Sequence, residues 1–318
     1  MRRKLYTFGC SYTKFEWLTW VDFLTPYFSE TRNFGESGAG NSYIFNSFAN
    51  LAANDILQPG DTVIIEWSSL MRENKIFSME GGYKLGGFIY NNHLYSEEYV
   101  KKYFNPIQTA FELVSYITSA KSICKDRGVN LKMFYMLPPW LGDSFGEPFS
   151  IFFPNEDIKN NVHKIFMESR ILEVIKGIYD DNFIQLSLEE YNLDNKTNIC
   201  YLEYRNSDHP GLFLDHHPAP NMHFRYAHSY ILPWLKSIFS NLKEVPYLPL
   251  YEISEFWTKN LADIETAQKF YNTPSQNWDI DELKELGYFF PHILHQTKLS
   301  KNETIVNSYD YKKYNKYY

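Results

Sequence analysis

The sequence predicts an α/β fold: a three-layer α/β/α sandwich with a mainly parallel sheet, followed by a C-terminal helical extension. Short apolar runs rich in Val, Ile and aromatic residues alternate with longer segments of helical periodicity. This alternation is typical of a parallel sheet that helices cover on both faces. The run "TVIIEW" at 62–67 predicts the central strand, because it is β-branched and neither Gly nor Pro interrupts it.

The other elements are predicted where apolar runs meet turn residues. Strands are predicted at 4–8, 31–34, 62–67, 130–137 and 182–187. Helices are predicted at about 15–28, 41–54, 106–127 and 163–177, with a last one that ends near 241.

The chain is predicted to divide into two parts. Residues 1–243 form the α/β domain, with insertions at about 73–104 and 138–162. Gly-Gly pairs in the first insertion favour a hairpin, and the second insertion is an aromatic loop. Residues 244–318 contain helix-like pieces without a clear strand, and their first part is too apolar for a free tail. We therefore expect a helical or irregular extension packed on the domain or on a partner chain.

Composition excludes several classes of protein. The net charge of −7 and the pI of about 5.8 argue against a nucleic-acid partner. Cys10, Cys124 and Cys200 are too widely spaced for a disulfide framework or a zinc ribbon, which favours a reducing compartment. The apolar run that follows the basic N-terminus is too short for a signal peptide, and no segment reads as membrane-spanning. We expect a cytoplasmic or virion-associated protein with no membrane partner.

The end of the first predicted strand carries the first candidate residue. The stretch "FGCSYT" at 8–13 places Ser11 in a turn that Gly9 permits. A nucleophilic serine needs such a turn, with its hydroxyl exposed and its own N–H able to bind an oxyanion. The same pattern also fits an ordinary turn or N-cap serine. The choice depends on whether the chain supplies a base, an orienting acid and an oxyanion site.

The ends of the next two strands are polar. The stretch "NFGESGAGNS" contains Gly38, whose N–H could donate to an oxyanion, and its glycine spacing does not fit a dinucleotide-binding loop. The stretch "EWSSLMREN" places Ser68 and Arg72 on one rim. A plain loop and a helix cap with Ser68 or Ser69 are the alternatives at these two places.

The stretch "DHHPAPNMH" lies just before the last predicted helix of the domain. Asp215 and His217 stand two residues apart on a loop that Pro218 stiffens. A carboxylate at that spacing could orient an imidazole, which would then take a proton from a hydroxyl. An earlier Asp-His-Pro at His209 lacks the following helix, and the histidines lack the spacing of a metal site. We therefore expect no metal and no other cofactor.

Taken in this order, these blocks resemble the SGNH/GDSL hydrolases, whose sheet is flavodoxin-like. The resemblance covers about residues 4–241 and implies that Ser11 is the nucleophile and Gly38 an oxyanion donor. It further implies that Asp215 is the orienting acid and His217 the base.

The chain departs from that family's pattern at two places. Cys10 stands where an Asp is usual, and the family's oxyanion Asn has no match, Ser68 being the nearest residue. The Asp-x-His spacing occurs in branches that remove acetyl groups from polysaccharides or add them. His223 falls where a second, non-catalytic His often appears.

The resemblance thus implies a serine esterase. Aromatic residues of the two insertions, Trp140, Phe145 and Tyr90, suit sugar rings, so we expect the substrate to be an O-acetyl ester of a carbohydrate or another small ester. The expected oxyanion donors are Ser11, Gly38 and Ser68, and the expected substrate contacts are Arg72, Asn41 and Trp140. A polysaccharide O-acyltransferase with the same triad is one alternative. A non-catalytic virion or surface-assembly protein that retains the fold is another. The extension could contact a second copy of the chain or a virion partner.

Overall fold

The computed structural model describes residues 3–15, 18–78, 82–89, 96–136, 164, 173–174, 177–184, 201–206, 209–214 and 217–261. Its strands are β1 Lys4–Phe8, β2 Glu30–Asn33, β3 Thr62–Trp67, β4 Arg72–Ser78, β5 Gly82–Phe88, β6 Asn130–Tyr135, β7 Tyr201–Asn206 and β8 His209–Leu214. Its α-helices are α1 Trp20–Leu24, α2 Asn41–Ala53, α3 Glu97–Tyr103, α4 Pro106–Arg127, α5 Pro220–Tyr226, α6 Leu232–Ile238 and α7 Tyr247–Leu261.

A parallel sheet forms the middle layer, as the sequence predicts. Its strand order is β2-β1-β3-β6, and every neighbouring pair is parallel. A parallel bridge between Met133 and Phe183 extends the sheet beyond β6, at the place where the sequence predicts a strand at 182–187. All six side chains of β3 are buried, because this central strand is covered on both faces.

Helices cover both faces of this sheet. The chain passes from β1 to β2 on one side and then returns past β1 to β3, so right-handed crossovers place α1 and α2 on opposite faces. Helix α2 packs with α4, while α1 packs with α5. The fold is therefore the predicted three-layer α/β/α arrangement. In such doubly wound sheets, ligands bind where the winding direction reverses, which here is between the carboxyl ends of β1 and β3.

The structure corrects the predicted helix at 15–28. Helix α1 begins only at Trp20, and a 3₁₀ turn at Thr25–Tyr27 follows it. Thr19 and Asp22 form a capping box that starts the helix there, because the backbone N–H of Thr19 donates to Asp22 Oδ2 at 2.7 Å. The residues before it form a tight turn after β1, and this leaves Ser11 in a turn rather than next to a long helix.

The two predicted insertions differ in what the structure describes. The first contains the expected hairpin, with β4 antiparallel to β5, followed by α3. The second, at 138–162, lies outside the described residues. A further antiparallel hairpin, β7–β8, is not among the elements predicted from the sequence. Its alternation is weak, and Pro210 with Gly211 near the start of β8 hides the strand pattern.

The beginning of the C-terminal extension packs on the α/β domain. Helix α7 lies against α5, where the ring of Phe224 contacts those of Tyr247 and Tyr251. The backbone N–H of Asn221 donates to Thr258 Oγ1 at 3.0 Å, and the buried Leu250 adds apolar contact area. Residues 247–261 thus form a helix that packs on the domain, and residues 262–318 lie outside the described part. Among the described helices, none combines the length and apolarity that crossing a bilayer requires.

Candidate active site

The turn that carries Ser11 begins directly after β1. The backbone N–H groups of Thr13 and Lys14 both donate to the carbonyl oxygen of Cys10, at 3.0 and 3.1 Å. The carbonyl of Thr13 in turn accepts bonds from Asn33 Nδ2 and Thr19 Oγ1, each at 2.8 Å. The turn is therefore fixed from β2 and from the start of α1. Ser11 is only 3% exposed, so the exposed hydroxyl expected of a nucleophile is not observed in this structure.

A buried carboxyl lies beneath this turn. Glu66 belongs to the central strand and is fully buried. It accepts hydrogen bonds from the Thr13 hydroxyl, from Trp20 Nε1 at 3.1 Å and from the Cys10 thiol at 3.2 Å. Glu66 is not among the site residues predicted from the sequence, although a single acidic residue inside a β-branched central strand is a signal for a functional or structural carboxyl.

Burial raises the pKa of Glu66 from its ordinary 4.5 to about 7, although the bonds from Thr13, Cys10 and Trp20 and the positive charge of Arg72 all act to lower it. The folded protein therefore holds a proton that the unfolded chain has already lost between pH 4.5 and 7. Stability from this group is fully present below pH 4.5 and is lost as the pH rises through about 7.

We expect this to appear as a difference between the wild type and Glu66→Gln, whose amide does not titrate. The difference in unfolding free energy, wild type minus variant, should fall by about 3 kcal/mol between pH 4.5 and 7.5. Urea unfolding at a series of pH values measures it, and the subtraction removes contributions from the other titrating groups. A difference that stays constant with pH would show that Glu66 does not carry a raised pKa.

Cys10 is a packed side chain in the turn after β1. It is fully buried, with its sulfur 3.0 Å from Met136 Sδ, and burial raises the pKa of its thiol to about 12.

We expect Cys10 in the native protein to react with a maleimide at least ~100-fold more slowly than in the unfolded protein, because only the thiolate is nucleophilic. Peptide mass spectrometry would locate the label. Rapid labelling of Cys10 in the folded protein would contradict its assignment as structural.

The glycine loop that follows β2 lies beside the Ser11 turn. The backbone N–H of Glu36 donates to the carbonyl of Gly9 at 3.2 Å, which joins the two loops. Gly38 has φ of 79°, a conformation that favours glycine. Asn74 Oδ1 accepts a bond from the N–H of Gly40, and its Nδ2 lies 3.5 Å from the carbonyl of Gly38. A Cβ atom on Gly40 would stand 2.7 Å from the carbonyl oxygen of Arg72, so only glycine fits there.

Asn41 joins the start of α2 to the end of β3. Its Oδ1 accepts the backbone N–H of Ser68 at 2.8 Å, and its Nδ2 donates to the carbonyl of Ser68 at 3.1 Å. Ser68 is fully buried, and its hydroxyl accepts a bond from Arg72 Nη1 at 3.3 Å. These contacts favour a supporting role for Ser68 and Asn41 behind the oxyanion region. Direct contact of either residue with substrate stays a prediction.

Arg72 lies between the glycine loop and a small polar pocket. Its Nη1 is 3.4 Å from the carbonyl oxygen of Ala39, next to Gly38. The pocket has a volume of about 110 Å³ and is lined by Arg72 with residues from the starts of α2 and α4, among them Asn41 and Gln108. The predicted substrate contacts Arg72 and Asn41 therefore share one pocket. The third, Trp140, lies outside the described residues.

His217 lies against the segment that contains Ser11. Its ring stacks on that of Phe15, with centroids 3.8 Å apart, and meets Tyr12 edge-on at 5.2 Å. Tyr12 also faces His223, which is buried in α5. Burial, together with the neighbouring His217, lowers the pKa of His223 to about 3, so that ring is neutral at physiological pH. A neutral, buried ring is consistent with the expected non-catalytic role of His223.

Two predicted roles remain predictions in this region. Asp215, the expected orienting acid, lies outside the described residues. The expected bond between Ser11 and His217 stays a prediction, and the contacts that the structure shows between this segment and His217 are the ring contacts of Tyr12 and Phe15. Within the described residues, no group of three or more His, Cys, Asp or Glu side chains is placed to hold a metal ion.

No protein-family model and no curated protein matches the chain. Among the solved structures that are similar to it are two whose descriptions carry the name of the family that the sequence resembles. A member of the lipolytic protein G-D-S-L family from Veillonella parvula is 10% identical with a TM-score of 0.34, over 72% of this chain and 98% of its own.

The second is a GDSL-like lipase from Bacteroides thetaiotaomicron, 13% identical with a TM-score of 0.34, over 75% of this chain and 89% of its own. The fold defines the protein as a member of the doubly wound α/β class.

Proposed function

We propose that the protein is a serine esterase of the SGNH/GDSL type that removes an O-acetyl group from a carbohydrate. The observation that carries the proposal is the contact of His217 with Tyr12, which lies in the Ser11 turn, and with Phe15 just after it. A histidine from the C-terminal part of the domain thereby reaches the turn after β1. That turn lies at the reversal of sheet winding, where doubly wound folds bind their ligands.

In the proposed reaction, His217 takes the proton of the Ser11 hydroxyl as the oxygen attacks the ester carbonyl. The carbonyl oxygen becomes an oxyanion, which the backbone N–H groups of Ser11 and Gly38 stabilise. His217 then gives the proton to the leaving alcohol, and an acetyl-serine remains. Water, deprotonated by His217, cleaves that ester and releases acetate, which restores Ser11. Asp215 holds the imidazole in its orientation.

Arg72 and the pocket beside it are the proposed contacts for the polar part of the substrate. The pocket combines a guanidinium, side-chain amides and the rings of Tyr103 and Tyr116, a mixture that suits hydroxyl-rich ligands. The choice of a carbohydrate rests on this polarity, together with the branch-specific Asp-x-His spacing. Transfer of the acetyl group to a sugar hydroxyl in place of water would use the same residues.

Hydrolysis of a chromogenic acetyl ester, 4-nitrophenyl acetate, followed by acetate release from acetylated xylan, tests the proposal. Turnover of both esters that is lost in Ser11→Ala supports a carbohydrate esterase. Ser47→Ala is the matched control, because Ser47 is an equally buried serine whose hydroxyl bonds only within α2. Turnover that survives in Ser11→Ala would contradict the proposal. Acetyl transfer to an added oligosaccharide, faster than hydrolysis, would favour the acyltransferase.

A further inference from the structure

The carboxyl of Glu66 has no part in the reaction described above, yet it is the most heavily bonded polar group beneath the nucleophile. We propose that Glu66 is a positioning residue, whose carboxyl holds both ends of the Ser11 turn and thereby fixes the nucleophile. The effect on the reactivity of Ser11 rests on the proposed esterase function. The effect on the conformation of the turn does not depend on that function.

The bonds of Glu66 lie on each side of Ser11. The thiol of Cys10, immediately before Ser11, is 3.2 Å from Oε1, and the hydroxyl of Thr13 donates to Oε2. Between these two anchors lie only Ser11 and Tyr12, and the carbonyl of Cys10 closes the turn by accepting two backbone N–H groups. One side chain from β3 therefore binds the start and the end of the turn.

A carboxyl is the side chain that fits these neighbours. The Thr13 hydroxyl, the Cys10 thiol and the Trp20 indole N–H are donors, and they meet the two carboxyl oxygens, which offer only acceptor positions once the carboxyl is ionised above a pH of about 7. A glutamine would place an NH₂ group against at least one of those donors. Burying the carboxyl is costly unless its bonds are satisfied, which is consistent with the number of donors around it.

Gly9 shows how closely the turn is packed on Glu66. A Cβ atom at Gly9 would stand 1.9 Å from Thr13 Oγ1 and 3.0 Å from Glu66 Cβ. The Thr13 hydroxyl occupies the space that a side chain at residue 9 would need. Glycine is therefore required there by the Glu66–Thr13 bond as well as by the turn itself, and this links the identity of residue 9 to the position of Ser11.

Holding the turn matters because displacement of a reacting group by about 1 Å can cost ~100-fold in rate. Loss of the Thr13 hydroxyl frees the end of the turn, and loss of the Glu66 carboxyl frees both ends. Neither substitution touches the residues that are proposed to bind the substrate outside the turn. The expected signature is therefore a lower kcat with little change in KM.

The test compares Thr13→Val, Thr13→Ser and Glu66→Leu with the wild type. Thr62→Val is the matched control, because Thr62 is a buried threonine whose hydroxyl has no bonding partner within the described residues. Two readouts are taken: amide hydrogen exchange of residues 11–14, and the rate at which a fluorophosphonate modifies Ser11. Amide hydrogen exchange measures how firmly the turn is held, and it does not depend on catalysis.

We expect the amides of Thr13 and Lys14 to exchange at least ~10-fold faster in Thr13→Val and Glu66→Leu. Modification of Ser11 should slow by ~10-fold in Thr13→Val and ~100-fold in Glu66→Leu, with Thr13→Ser and Thr62→Val close to wild type. Exchange and modification both unchanged in Thr13→Val would overturn the inference. Faster exchange without any Ser11 modification in the wild type would support the positioning role and reject the esterase, so the two failures are distinguishable.

Discussion

Replacement of Ser11 by alanine is expected to reduce ester turnover by at least ~10⁴-fold, because loss of a triad nucleophile leaves only binding and oxyanion stabilisation. The variant should keep its fold. Ser11 has a small side chain, and the turn around it is closed by the carbonyl of Cys10 and by Thr13, which the substitution does not touch. KM, or the Kd of a non-hydrolysed substrate analogue, should change little.

The measurement is the initial rate with 4-nitrophenyl acetate and with acetylated xylan, accompanied by a urea unfolding curve. The Ser47→Ala control should retain full activity and lose stability only slightly. A Ser11→Ala protein that is folded and retains more than a tenth of the wild-type rate would mean that another group carries the chemistry.

Removal of the chain after Leu242 is expected to cost stability and activity together. It takes away α7, whose Leu250 and Ile253 are almost fully buried, and exposes the face of α5 beneath them. Burial of two such side chains contributes about 3–6 kcal/mol, a large share of a typical domain's stability. Helix α5 begins just after His217, so loosening it displaces the proposed base.

A single substitution separates the effect of α7 on stability from its effect on activity. Thr258→Val removes the oxygen that accepts the backbone N–H of Asn221 at the start of α5. The buried N–H then loses its partner, which should cost about 1–3 kcal/mol. Because this bond fixes the segment that follows His217, kcat should fall more than KM rises. Ser237→Ala is the control, since its hydroxyl bonds only within α6 at an exposed position.

Unfolding curves and initial rates of the fragment and of both variants check this prediction. A soluble fragment ending at Leu242, with wild-type stability and activity, would show that α7 is dispensable for the domain and for the site. A folded fragment without activity would show that the extension helps to build the site.

Most of the sheet could be predicted from the sequence because its strands are apolar and bounded by turn residues. The predicted bounds of β1, β3 and α4 agree with the structure, and Gly128 ends α4 with a left-handed φ of 65°, as a C-terminal glycine should. Local pattern could not locate β7 and β8, where Pro and Gly interrupt the alternation. It also extended α1 too far, because the capping box at Thr19 is not visible in hydrophobic periodicity.

The candidate site was predictable in part. Strand ends in a parallel sheet lie at one edge, so Gly38, Ser68 and Arg72 could be expected near Ser11. The roles of Glu66 and Thr13 could not be read in this way, since they arise from contacts between β3 and the turn after β1 that no local motif records. The contacts of Asn41 could not be predicted either, because its side-chain amide forms hydrogen bonds with the backbone N–H and carbonyl of Ser68 on another element.

The central claim is that His217 activates Ser11, and reaction with a fluorophosphonate tests it most directly. This reagent modifies a serine only when the hydroxyl is activated by a base. The folded wild-type protein should acquire one adduct, located on Ser11 by peptide mass spectrometry. The same reaction should be at least ~100-fold slower in a folded His217→Ala variant. Equal rates in wild type and His217→Ala, or an adduct on a serine other than Ser11, would contradict the account.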